Sequence, residues 1–374
     1  MIYADNAATT KISNAAFEKM LPFLQGQYGN ASSPYSFGVK AKHAVELARQ
    51  QIASAIGAEP GEVFFTSGAS ESNNWVLSSI NKGHVITSSI EHPSVLNACH
   101  MLEHKGVDVT YLPVSGNGHI AVEDVRNAIR PDTKLISVML ANNEIGTIQP
   151  IAEIGNYLRE RNILFHTDAV QAVGHIPVDV QKLGVDFLSA SAHKFNGAKG
   201  TGFLYKRPGI SLPPLISGGE QEHGERAGTE NVAGIVAAGY ALWENISDMS
   251  AISSKLTALS QTTVNGIHSR IPNVIVNSQE GNHLPGIVNI VLDGVTGESL
   301  LHLLDLKGIC VSTSSACRAG RDMPSHVLMA LGLTSRQARS AIRISYGRYN
   351  TLNDAETIVS AVCNAYNKIL KAKK

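Results

Sequence analysis

Apolar residues in the first two thirds of the chain come in short runs, separated by stretches whose apolar positions keep a helical period. EVFFTS, HVITSS, DVTYLPV, KLISVML, NILFHTD, DFLSAS and GTGFLYK have the length and the β-branched or aromatic content of strands. SVLNACHMLEHKG and VEDVRNAIRPD lie between such runs and read as amphipathic helices. The alternation predicts an α/β arrangement, a mostly parallel sheet covered by helices, with ligands gathering at the carboxyl ends of the strands. Near residue 250 the pattern changes. ALWENISDMSAISSKLTALSQTTVNGIHSRI reads as one or two helices leading out of the sheet. Beyond it, NVIVNS, GIVNIVLDG, GICVSTSSA and AIRISYG are strand candidates separated by helical pieces. They predict a smaller α+β domain, to which the N-terminal segment is expected to return.

Composition narrows the class. A chain of 374 residues is long enough for two domains. Lys+Arg and Asp+Glu both number 31, and this zero net charge leaves no electrostatic footprint for nucleic acid. The opening MIYADNAATT has neither a basic region nor an apolar run, so it does not read as a signal peptide. No apolar stretch approaches the length of a membrane helix. Cys99, Cys310, Cys317 and Cys363 form no CxxC pair. These features predict a cytoplasmic enzyme with reduced thiols and no membrane or nucleic-acid partner. Cys99, His100 and His104 have spacing that a zinc ion can use, but without a further ligand motif a polar helix face is the better reading.

Chemistry enters at the strand ends. EVFFT leads into Ser67-Gly68-Ala69-Ser70-Glu71-Ser72, small residues that open a helix and present backbone N–H groups to an anion. HVITSSI leads to Glu91-His92-Pro93, and KLISVML to Asn142 and Asn143. NILFHT ends at Asp168, with Gln171 just beyond, and DFLSAS runs into His193-Lys194. Each feature alone has an ordinary explanation as a cap, a turn or a loop residue. Their recurrence at successive strand ends predicts one shared crevice. A lysine that attacks an aldehyde, a carboxylate that keeps a pyridine nitrogen protonated and an anion cradle are the parts that pyridoxal phosphate needs. Lys194 is then the Schiff-base lysine, Asp168 the partner of the ring nitrogen and His92 the group against the ring. Ser70, Ser191 and His193 hold the phosphate, and Gly197, Gly200 and Gly202 let the backbone turn behind the lysine.

SAHKFNGAKGTGFLY, with YADNAATT, FFTSGASESNN, EHP, NNEIG, HTDAVQ and GGEQEHGERAGTEN, closely resembles the class V aminotransferase family. Within it the chain is similar to cysteine desulfurases of the type that feed iron–sulfur assembly and nitrogen fixation. The likeness runs from about residue 2 to about residue 350. It implies the type I pyridoxal-phosphate (aspartate aminotransferase-like) fold in a homodimer. The large cofactor-binding domain would span residues 15–250. Residues 1–14 and 251–374 would form the small domain with the catalytic cysteine loop. The resemblance adds Ala69 at the phosphate, Asn143 and Gln171 at the ring hydroxyl, and Thr229 reaching the phosphate of the other subunit. Arg343 would clamp the substrate carboxylate with help from Asn30, and His92 would move protons. The family usually has threonine where this chain has Ser70, and the hydroxyl is retained.

The reaction type rests on STSSACRAGRDMPSHVLMALGL. Cys317 sits among small and polar residues with Arg318 and Arg321 nearby, and cationic neighbours favour a thiolate. Cys99, Cys310 and Cys363 read instead as structural. Ser315-Ala316-Cys317 and Pro324-Ser325-His326-Val327 match the family motif, while Ser314, Arg318 and Arg321 depart from it. The implied activity takes sulfur from L-cysteine, giving L-alanine and a persulfide on Cys317 for a protein acceptor in iron–sulfur assembly or tRNA thiolation. A selenocysteine lyase, another class V enzyme or a silent sulfur-carrier scaffold are the alternatives. The thiol argues against a plain aminotransferase, and the full lysine, aspartate and arginine set argues against a scaffold. Relatives serving a housekeeping scaffold carry a longer C-terminal tail than YNKILKAKK, so weak binding to that scaffold is expected.

Overall fold

The computed structural model describes residues 1–277, 282–313 and 323–373. Its large sheet has seven strands: β2 (Val63–Thr66), β3 (His84–Ser88), β4 (Asp108–Leu112), β5 (Thr133–Ser137), β6 (Leu164–Asp168), β7 (Phe187–Ser191) and β8 (Gly202–Lys206). The chain begins with a short β1 (Ile2–Tyr3) that stands outside this sheet. The spatial order is β2-β8-β7-β6-β5-β3-β4. β8 runs antiparallel to β2 and β7, and the other pairings are parallel. Every run that reads as a strand in this region is one. Neighbouring residues divide between the two faces as the pleat requires. Phe65, Ile136, Leu188 and Phe203 belong to one apolar cluster. Phe64, Leu135, Phe187 and Leu204 belong to another on the opposite face, where Trp75, Val95 and Leu102 cover them. Burial on both faces explains why these strands read as continuous apolar runs rather than alternating ones.

A second core gathers around a four-stranded antiparallel sheet in the order β12-β13-β10-β9. Its strands are β9 (Ile275–Asn277), β10 (Ile287–Val291), β12 (Ser312–Thr313) and β13 (Ala341–Ser345). Val288, Ile290, Ile342 and Ile344 pack there against Ile358 and Val362 of the helix Leu352–Ala372. β1 pairs in parallel with β11 (Ile309–Cys310), so the first residues of the chain join this region.

The segment expected to hold one or two helices is a single helix, Val232–His268. It begins nine residues before the stretch singled out above, just after Asn231, whose side chain accepts a hydrogen bond from the Gly234 N–H. Its first half buries Ile235, Ala238 and Leu242 in the first core, and its second half buries Leu256, Leu259 and Ile267 in the second. One rod therefore ties the two cores together.

Chain order around the sheet sets the position of the crevice. β3 leads to β4 on one side, yet β5 returns to pair with β3 on the other. The ends of β3, β5, β6 and β7 thus open on the same edge, at a topological switch point.

Candidate active site

At that edge lies a cavity of about 340 Å³ lined by Ala69, Ser70, His92, Asn143, Asp168, Gln171, Ser191, His193, Lys194 and Arg343. Ala7, Ala8, Ser94, Met139, Ala141 and Val170 complete the wall. Most of the candidate residues named from the sequence are therefore brought together. Asn30 and Thr229 do not line the cavity. Asn30 is exposed and its Oδ1 accepts from the Ser32 N–H at 2.8 Å, while Thr229 is exposed. Cys317, Arg318 and Arg321 lie outside the described residues.

The helix Ala69–Ser78 starts at the cavity, and Gly68 before it has φ 153°. Its first N–H groups face one end of the space, where the Ala69 N–H donates to Ser191 Oγ at 2.8 Å. A Cβ at Gly202 would stand 2.6 Å from Gly68 Cα, so only glycine in β8 lets this turn approach. The loop 217–231 is pinned beside the helix. Arg226 pairs with Glu71 at 2.8 Å, and deeper in, Arg49 makes two bonds to Glu222, whose Oε2 also accepts from the Phe65 N–H. Glu222 and His223 adopt φ of 47° and 60°, a strained conformation for non-glycine residues that the buried ion pair holds in place.

Asp168 ends β6 and is buried. Its Oδ1 accepts from the Val170 N–H at 3.0 Å and its Oδ2 from Asn73 Nδ2 at 2.7 Å. Lys194 Nζ donates to the carbonyls of Ala7 and Ala8 at 2.6 and 2.9 Å. Gln171 Nε2 reaches the same Ala7 carbonyl at 3.0 Å. Behind the lysine, the half-buried His175 donates through Nε2 to the Lys194 carbonyl at 3.0 Å. Burial lowers the His175 pKa, and the Lys194 charge adds to that.

Two histidines line the cavity in neutral form. His193 is pushed down to about 4 by burial and by the Lys194 and Lys199 charges. His92 is lowered by burial, and Lys194 pushes the same way while Asp168 opposes. Arg343 extends from β13 and is 4 % exposed. Its Nη2 meets Asp5 Oδ1 at 2.7 Å and its Nη1 donates to the Asn143 carbonyl at 2.9 Å. Its Nε has no partner among the described residues.

Two of the remaining thiols, Cys99 and Cys363, do not compete for chemistry. Burial pushes Cys99 up to about 12 and raises Cys363 as well, so both stay protonated near neutral pH. Cys99 is buried while His100 and His104 are exposed, so the three do not share a site. Asn142 makes a turn: its Oδ1 accepts from the N–H groups of Glu144 and Ile145.

Sequence reasoning passed over Asp5, Ala7, Asn73, Ser94 and His175. Asn73 left a signal, because asparagine inside a short helix is a poor helix former whose side chain has another use. Asp5 and Ala7 sit within YADNAATT, where nothing local points to a partner in β13 or in the turn after β7.

These residues fit pyridoxal phosphate. The cavity is of the size that encloses a small cofactor. One end carries helix N–H groups, two hydroxyls and a neutral imidazole, and it also holds a lysine amine. A buried carboxylate with one bond to each oxygen closes the other side.

Comparisons with known proteins point the same way. The model of the aminotransferase class-V family matches residues 2–358. Cysteine desulfurase IscS of Methanosarcina thermophila is 46% identical over 374 residues, covering 98% of this chain and 92% of that protein. A NifS-like protein from Rickettsia africae ESF-5 superposes with a TM-score of 0.91 at 32% identity, over 98% of this chain and 99% of the other. The structure of SspA in complex with cysteine has a TM-score of 0.83 at 39% identity, over 94% of this chain and all of that one (100%). No helix among the described residues is long and apolar enough to cross a membrane. With a matched fold, a matched length and a lysine, a carboxylate and an anion cradle in one cavity, this chain belongs to the aminotransferase class-V family.

Proposed function

We propose that this chain is a pyridoxal-phosphate-dependent cysteine desulfurase, which takes sulfur from L-cysteine, releases L-alanine and carries a persulfide on Cys317 to a protein acceptor. The observation that supports it best is the gathering of Lys194, Asp168, His92 and Arg343 in one cavity. Relatives bearing the name cysteine desulfurase, and a relative in complex with cysteine, add support.

When bound, pyridoxal phosphate supplies the electron sink that makes the α-proton of an amino acid labile. Lys194 would hold it covalently, Asp168 at its ring nitrogen, and Ala69, Ser70, Ser191 and His193 at its phosphate. Asn143 and Gln171 would stand at the ring hydroxyl and Thr229 would reach the phosphate of a second copy. Arg343 offers an unpartnered Nε–H and further guanidinium hydrogens to the substrate carboxylate, a planar fork that an ammonium cannot imitate. Asp5 orients that fork from behind. Asn30 would assist at the carboxylate, although it does not line the cavity of a single copy. Lys194 Nζ receives the α-proton, and His92 Nε2 is the neighbouring group that moves protons. Cys317 Sγ, as thiolate, attacks the substrate sulfur. A sulfur–sulfur bond forms and the carbon–sulfur bond breaks. The three-carbon fragment keeps the electron pair and takes a proton to become alanine.

In this reading the enzyme is a cytoplasmic homodimer. The cofactor domain spans residues 15–250, and residues 1–14 with 251–374 form the small domain. Its acceptor serves iron–sulfur assembly or tRNA thiolation. Cys317→Ser tests the core of the proposal. The variant is expected to keep its visible absorbance and to bind cysteine, yet to release almost no sulfide and to gain no sulfur in intact-mass spectra. Full sulfide and alanine production by that variant would remove Cys317 from the mechanism. Assay with selenocysteine separates this activity from that of a selenocysteine lyase.

A further inference from the structure

His92 is joined to Asp168 by a continuous chain of hydrogen bonds. Asn73 Nδ2 donates to Asp168 Oδ2 at 2.7 Å and to Ser94 Oγ at 2.9 Å. Ser94 Oγ lies 2.8 Å from His92 Nδ1, and the Ser94 N–H donates to the same nitrogen at 3.1 Å. We propose that Asn73 and Ser94 are positioning residues that fix the imidazole of His92 with Nδ1 as acceptor and the proton on Nε2, and so align it with Asp168 for the reaction. The proposal rests on the desulfurase reading for its consequence and on geometry for its content.

The direction of every bond follows from elementary donor and acceptor rules. A backbone N–H only donates, so His92 Nδ1 accepts and carries no proton. A neutral ring must then carry its proton on Nε2. Asn73 cannot be turned round, because its Oδ1 would face the Asp168 carboxylate. Its Nδ2 hydrogens therefore go to Asp168 and to Ser94. Ser94 Oγ, having accepted from Asn73, gives its own hydrogen to His92 Nδ1. Asn73 is fully buried and its Oδ1 has no partner among the described residues. Leaving a buried carbonyl oxygen unbonded costs free energy, and here the cost is accepted in order to turn both hydrogens of the amide toward the cavity.

Local sequence explains how the parts arrive. Pro93 is the first residue of the helix Pro93–His104, and His92 is its N-cap. In that position His92 Nδ1 takes the place usually filled by a serine or aspartate oxygen, and receives the N–H of Ser94. Asn73 comes from the helix after β2, and Asp168 from the end of β6. The charged groups acting on His92 are Asp168 and Lys194. Glu91, its neighbour in sequence, is buried and turned to Ser88 and Met139.

Consequences follow for two variants. Ser94→Ala removes one donor from Nδ1 and leaves one hydrogen of Asn73 without an acceptor. Nδ1 becomes more basic, so the imidazole takes up a proton at higher pH. Ser94→Thr keeps the hydroxyl and restores the chain. The experiment uses the cofactor-loaded enzyme with 15N-labelled histidine. The chemical shifts of the His92 nitrogens and the pH profile of sulfide release are measured for the native protein and both variants. The expected result is an unprotonated Nδ1 in the native and Thr proteins. In Ser94→Ala we expect a shift of that nitrogen toward the protonated type, a kcat lowered roughly three- to tenfold with KM little changed, and an acid limb of kcat/KM displaced to higher pH. A protonated Nδ1 in the native enzyme would overturn the proposal. So would a Ser94→Ala protein with native nitrogen shifts and a native pH profile. If the native enzyme released no sulfide from cysteine, the desulfurase reading would fail, while the nitrogen shifts would still decide the tautomer.

Discussion

Replacing Glu91 by glutamine removes one titratable proton from the interior while keeping the shape of the side chain. Glu91 is 1 % exposed. Its Oε1 accepts from Ser88 Oγ at 2.5 Å and from the Met139 N–H at 2.9 Å, whereas Oε2 has no partner among the described residues. Burial pushes the carboxyl from the ordinary 4.5 up to about 8, the two hydrogen bonds oppose this, and the Asp168 charge adds to it. Between those two values the folded protein keeps a proton that the unfolded chain gives up. Stability contributed at this position is therefore lost as pH rises through that window, and levels off above it. Relative to strongly acid pH, this position lowers stability by about 1 kcal/mol at pH 5, where only the unfolded chain ionises, and by about 5 kcal/mol at pH 9.

Glutamine does not titrate, so Glu91→Gln should gain about 4 kcal/mol over the native protein between pH 5 and pH 9. Spread over the unfolding entropy of a chain this long, the difference in Tm between the two proteins should move by roughly 5 °C in favour of the variant. The assay is thermal unfolding followed by circular dichroism at pH 5, 7 and 9, both proteins loaded with cofactor and held at one ionic strength. His166, pushed down to about 3 by burial, and His193, down to about 4, titrate in both proteins and cancel in the difference. A Tm difference that stays constant across the range would show that Glu91 is already ionised in the folded state, and the reasoning from its burial would fall.

Arg343→Ala should weaken apparent cysteine affinity by about a hundredfold, the order expected for a charge-assisted pair in a desolvated site, while cofactor absorbance persists; unchanged substrate affinity removes Arg343 from carboxylate recognition. Glu222→Ala leaves Arg49 buried without its partner and should cost about 3–5 kcal/mol in thermal unfolding. The double change Arg49→Met with Glu222→Leu, which leaves no stranded charge, should cost clearly less, and equal losses would show that the stranded Arg49 charge is not the source of the cost.

Sheet and site differ in how far local sequence carries them. β2, β3 and β5 to β8 are buried on both faces, so a short apolar run between turns was enough to mark each one. β1 is only two residues long and is defined by its partner β11, hundreds of positions away, so no local pattern could mark it. The start of the helix Val232–His268 was missed for a different reason. Its first turns are rich in alanine and glycine and are buried against the sheet on most sides, so they lack the one-sided pattern that marks an amphipathic helix.

Within the site, the residues proposed to do chemistry were legible because their types are out of place. A carboxylate at the end of an apolar strand, or a lysine between an imidazole and a glycine-rich turn, has few structural uses. Residues that orient them were not legible, because their types are ordinary where they stand. Ser94 is an unremarked residue in the first turn of a helix, and Asp5 belongs to a turn near the N-terminus. Asp5 acquires a function only because β13 brings Arg343 to it across 338 positions of sequence. Asn73 bridges 95 positions to Asp168 and 21 to Ser94. The arrangement of the bonds assigns these roles, since a side chain that satisfies a carboxylate on one side and a hydroxyl on the other transmits orientation between groups that never touch. The state of His92 is therefore set by the fold as a whole, through Asn73 and Ser94, and a change at either should be read first in the pH profile and only afterwards in stability.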